Sequence, residues 1–182
     1  MKNTLKIIAV IIGVVLLDQI TKGFFLHMII GRVPLFGAAC DLIPPFCVGN
    51  QIFHGADFMN LWHTSWFKFV FVWNPGTSFS LFRNLGESAP LIIIILSGFI
   101  IGAIGYYLFT RAKPGLEKWS LALIVGGALG NLIDRIRFGA VIDFLDFHVK
   151  NWHWPAFNFA DICISVGVGL IILGWVFGKK NC

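Results

Sequence analysis

Acidic side chains are scarce in this chain, nine Asp and Glu in 182 residues, and several of them stand inside or beside apolar runs. Asp18 interrupts LLDQITK, Asp134 and Asp143 bracket the end of an apolar helix in GNLIDRIRFGAVIDF, Asp146 follows, and Asp161 opens FNFADICISVGVG. Burying a carboxylate is costly, so acids placed there mark function until a structural partner is found. Each has a structural reading of its own. Asp161 suits the first turn of a helix, Asp134 can pair with Arg135, Arg137 or another cation, and Asp146 reads as a solvated interfacial acid. Together they suggest more. Asp143 and Asp161 flank a connection of 17 residues between two apolar segments, and antiparallel neighbours would bring those ends to one side. Two carboxylates held together share a proton, so one can activate water while the other polarises a carbonyl. That is hydrolytic chemistry.

Competing chemistries have less support. The histidines at 27, 54, 63, 148 and 153 form no HExxH motif, and His148 with His153 is too loose a spacing for a ligand pair. No GxSxG elbow is present. Cys163 lies in an apolar segment and reads as packing. Cys40 and Cys47 share one loop, where a disulfide is chemically allowed. No metal or cofactor is expected.

The elements that must position these acids are membrane helices. The chain is 57% hydrophobic and 13% charged, against about 25% charged in soluble domains. Four apolar segments, about 7–25, 90–109, 119–136 and 160–177, are each long enough to cross a hydrocarbon core of about 30 Å. The expected fold is therefore all-α and integral to a membrane, four transmembrane helices with a small β-element on the outer side (the periplasmic side by the resemblance given below), in one domain over 1–182. The first segment resembles a signal peptide, but its apolar run is long and no small-x-small site follows closely, so a retained helix is expected.

Basic residues set the expected orientation. Lys2 and Lys6, then Arg111, Lys113 and Lys118, then Lys179 and Lys180 fall on one side, which should be cytoplasmic. The net charge of +5 thus reads as topology and not as a nucleic-acid face. Arg135 and Arg137 sit at the opposite end, against the rule, and are read as functional. Loops on the outer side span about 31–82 and 139–157. Within the first, FKFVFVWNPGTSFSLF (Phe67–Phe82) reads as short strands around a Pro-Gly turn. GGALGN at Gly126–Asn131 can serve close helix packing or backbone approach to a substrate, and VGVG at Val166–Gly169 reads as packing.

Five motifs in order resemble the bacterial lipoprotein signal peptidase (signal peptidase II) family: LLDQITK, WNPGTSFSLF, GGALGNLIDR, VIDF and FNFAD. The resemblance implies a four-helix inner-membrane aspartyl endopeptidase that is sensitive to globomycin. Its reaction removes signal peptides from prolipoproteins, cutting before the diacylglyceryl-modified cysteine. It implies Asp143 and Asp161 as the catalytic pair, with Asn131, Arg135 and Asn158 as a polar shell. Asn74 and Gly76 would lie on the β-element over the substrate, Asp18 would be structural or supporting, and Asp134, the runner-up to Asp143 for the catalytic role, would orient its arginine neighbours. The partners implied are prolipoproteins and membrane lipid, with the enzyme a monomer. Two departures stand out: Pro75 occupies a position where the family usually has another residue, and the 31–65 segment has no counterpart. The alternatives are a small transporter using intramembrane acids, or a non-catalytic membrane scaffold.

Overall fold

The computed structural model describes residues 2–30, 62–76 and 89–178. Cys40, Cys47, Lys179, Lys180 and most of the 31–65 segment lie outside them, as does the TSFSLF end of the second motif. Along the chain the elements are α1 (Lys2–Ile30), β1 (Trp62–His63), β2 (Phe67–Asn74) and α2 (Ala89–Thr110), followed by α3 (Leu116–Phe138), β3 (Val141–Val149), β4 (Trp152–His153) and α4 (Phe159–Gly178). All four helices are long and apolar enough to span a membrane. Half of the α3 span is buried inside the protein, against 17% for each of the others, which makes α3 the inner helix. Leu17, Ile20, Phe99, Ile172 and Trp175 are exposed, as expected of faces solvated by lipid rather than water.

The described residues form two compact units. The first comprises residues 2–18, 95–131 and 159–178. Its core gathers Ile7, Leu108, Leu121 and Val125 around small residues. Lipid gives helices no hydrophobic reason to associate, so close backbone approach must supply packing energy. The glycines of GGALGN serve that end. A Cβ on Gly127 would stand 2.5 Å from the Ala160 carbonyl oxygen, and one on Gly126 would stand 2.8 Å from Val14 Cβ. In VGVG only Gly167 is tight, 2.6 Å from the Ser120 carbonyl, while Gly169 has open space around it.

The second unit comprises residues 19–30, 62–76, 89–94 and 132–158. It holds an antiparallel sheet of four strands in the order β1-β2-β3-β4. β2 is the strand expected before the Pro75–Gly76 turn, and it pairs with β3, in a segment expected to be loop; the residues expected to follow that turn as strand lie outside the described ones. VIDFLDFHV is rich in β-branched and aromatic residues, yet it buries both faces at its start, so it lacks the alternation that flags a strand. Leu145 and Phe157 exchange backbone hydrogen bonds of 2.9 and 3.0 Å. Aromatic rings weld the sheet to α1, with Phe25 stacked on Phe144 at 4.3 Å and against Phe69 at 4.9 Å. At the end of α3, Gly139 adopts φ 73° and donates its N–H to the Arg135 carbonyl at 2.9 Å, a glycine helix terminus that releases the chain directly into β3.

Candidate active site

Asp143 sits on β3, 1% exposed. The register that aims it carries a bulge. Phe69 pairs with Leu145 and Val72 with Asp143, so β2 has two residues where β3 has one. An extra residue re-aims the strand beyond it. Asn74 lies two residues after Val72 and therefore on the same face, diagonal to Asp143. It donates to Asp143 Oδ2 at 2.9 Å. Asn158 donates to Oδ1 at 2.7 Å and is fully buried. Both carboxylate oxygens are thus fixed by side-chain amides. Asn74 is held in turn: its Oδ1 accepts the Gly76 N–H at 2.9 Å. Gly76 has φ 80°, and a Cβ there would press on Ile93 at 3.2 Å. The Pro75 between them is exposed and compatible with this turn. Arg135 is half-buried, and its Nη2 lies 3.8 Å from the position of that absent Cβ.

Asp134 is also fully buried. Its ion pair is with Lys22, at 2.8 Å between side chains 2% and 0% exposed. Gln19 donates to its other oxygen at 2.8 Å, and the Ile142 N–H completes the set at 3.3 Å. Gln19 passes the link on by accepting from Arg137 at 3.1 Å. Asp134 therefore ties α1 to α3 and to the start of β3. Gln19 and Lys22 were legible as candidates: both lie in LLDQITK, three residues apart and so on one helix face.

In the other unit, Asp161 stands in the first turn of α4 and accepts from Asn131 at 2.8 Å. Asn131 is 7% exposed. Asp18 is fully buried and accepts the Ala160 N–H at 3.0 Å, so α1 supplies a carboxylate to the N-terminal end of α4, where the helix dipole favours negative charge. Gly130 faces Asp18 so closely that a Cβ would collide with its carboxylate.

Three readings of single residues change or stand. Asp146 is not solvated: it is 5% exposed, with Lys68 at 3.6 Å and His153 at 3.0 Å. His148 and His153 are not loosely spaced, since they are direct cross-strand partners in the β3–β4 hairpin. Cys163 is a buried free thiol in α4, in keeping with packing.

The family model described as Signal peptidase (SPase) II, Peptidase_A8, matches residues 10–177. A lipoprotein signal peptidase from Syntrophotalea carbinolica is 37% identical over 169 residues, covering 92% of this chain and 89% of that protein. Another, from Anaplasma phagocytophilum, is 50% identical over 110 residues, 60% of this chain and 69% of the relative. Two solved structures of a bacterial membrane enzyme, obtained in meso at 2.3 and 1.9 Å, align with a TM-score of 0.66 at 24% identity. They cover 97% of this chain and 90% and 94% of theirs, a likeness of fold.

Proposed function

The chain belongs to the signal peptidase II family, and from that premise we propose that Asp143 and Asp161 are the catalytic pair of its reaction. It is a multi-pass membrane protein and an aspartic peptidase that removes signal peptides from prolipoproteins. A transporter reading has no support among its relatives.

The observation that carries the assignment is the FNFAD segment. Asn158 fixes Asp143 at 2.7 Å, and three residues on stands Asp161, fixed by Asn131 at 2.8 Å. Three residues span at most about 11 Å of chain, so the segment that orients one carboxylate also delivers the other. In the reaction one carboxylate takes a proton from water, which attacks the scissile carbonyl, while the protonated partner hydrogen-bonds the carbonyl oxygen. Collapse of the tetrahedral intermediate breaks the C–N bond, and a proton passes to the leaving amine. Asn74, Asn131 and Asn158 serve as positioning residues. Gly76 and Arg135 line the approach of substrate backbone, and Asp18 and Asp134 hold the helices that carry the pair.

Cleavage falls before a cysteine bearing a diacylglyceryl group, whose chains partition into lipid at roughly 0.8 kcal/mol per buried CH₂. Membrane lipid is thereby part of substrate binding. The enzyme acts as a monomer in the bacterial inner membrane, with both termini cytoplasmic and the pair at the periplasmic boundary, where water reaches it. Incubation with a diacylglyceryl-modified prolipoprotein peptide tests the reading. Cleavage before the modified cysteine that survives a metal chelator and stops with globomycin is the expected result. Failure to cleave that peptide in lipid would reject it.

A further inference from the structure

The β3–β4 hairpin gathers a second set of chemically competent side chains. Asp146 and His148 are two residues apart on β3 and share a face. The antiparallel register sets His153 directly opposite His148. One ligand atom from each of the three lies within 4.8 Å of those from the others. We propose that Asp146, His148 and His153 form a binding site for a divalent transition ion of the zinc class, with water completing the coordination.

Donor chemistry and geometry agree. Two imidazoles and a carboxylate suit zinc, with bonds of about 2.0–2.2 Å. Tetrahedral ligands then stand roughly 3.4 Å apart, so the three atoms need close by little more than an ångström, which side-chain torsions supply. His153 Nδ1 already points at both Asp146 oxygens, 3.0 Å from each. The His148 ring stacks on that of His153 with centroids 5.1 Å apart. His148 Nδ1 is buried with no hydrogen-bond partner, an uncommon expense for a native polar atom. A purely structural Asp–His pair leaves that nitrogen unexplained, whereas an ion would satisfy it.

Lys68 is the competing cation, its Nζ 3.6 Å from Asp146 Oδ2. An arriving ion takes over the charge balance that Lys68 provides. The site lies apart from the proposed chemistry. Asp143 and Asp146 are an odd number of residues apart, so they face opposite sides of β3. The ion would staple the hairpin and would not touch the substrate.

The test titrates zinc chloride into tag-free full-length protein in detergent, followed by calorimetry. Saturable binding at one ion per chain is expected, at least about tenfold weaker in His153→Ala and in His148→Ala, and tighter in Lys68→Ala. Hydrogen exchange at the hairpin amides should slow on zinc addition in the wild type and not in His153→Ala. His153 is 43% exposed, so its replacement leaves the fold intact and decides the matter even where His148→Ala misfolds. Peptide cleavage by each variant is the control for folding. No saturable binding to the wild type, or equal binding by wild type and His153→Ala, would overturn the proposal.

Discussion

Asn158 donates to Asp143 at 2.7 Å, and both side chains are buried. An amide in that place orients the carboxylate without competing for its charge. Asn158→Ala should therefore lower kcat by about 10²-fold, the scale of a misplaced reacting group, with KM little changed. Leaving the Asp143 oxygen without that donor should also cost about 1–3 kcal/mol of stability. Asn158→Asp, which sets carboxylate against carboxylate, should be worse than Asn158→Ala. Steady-state kinetics on a lipidated peptide separates these outcomes; a rise in KM alone would assign Asn158 to substrate binding instead.

The Lys22–Asp134 pair is enclosed on all sides, so breaking it leaves an uncompensated charge. Lys22→Met or Asp134→Leu should each destabilise by about 3–5 kcal/mol, while the double replacement recovers much of the loss. Thermal unfolding in detergent, run as a double-mutant cycle, checks this. Additive losses would show that the two side chains do not act as a pair.

Gly130 is a third test. Any side chain there meets the Asp18 carboxylate, which holds the Ala160 N–H. Gly130→Val should displace Asp18, loosen the start of α4 and lower activity. The double variant Gly130→Ala with Asp18→Ala should unfold later on heating than Gly130→Ala alone, because the clash is gone. An unchanged melting temperature in Gly130→Val would refute the contact.

Much of this was written in the sequence because membrane helices announce themselves by length and composition. The acids were equally visible, since LLDQITK, VIDF and FNFAD set carboxylates where apolar residues belong. Partners were harder to see. Asp134 stands beside arginines in sequence, yet a helix turns neighbours to different faces, and its ion pair came from α1, more than a hundred residues earlier. β3 escaped notice because burial on both faces erases the two-residue period. Without β3 there was no register, and so no cross-strand His148–His153 pair and no reason to place Asn74 beside Asp143.

The central claim is that Asp143 and Asp161 perform the cleavage. The measurement is the rate at which Asp143→Asn and Asp161→Asn protein, reconstituted in lipid, cut a diacylglyceryl-modified prolipoprotein peptide. Both replacements keep the side-chain shape, so helical content and melting should stay near wild type. The expected result is a loss of about 10⁴-fold or more in each variant, with the double variant no worse, since groups that act as a unit are not additive. Cleavage at the wild-type rate by either folded variant would contradict it.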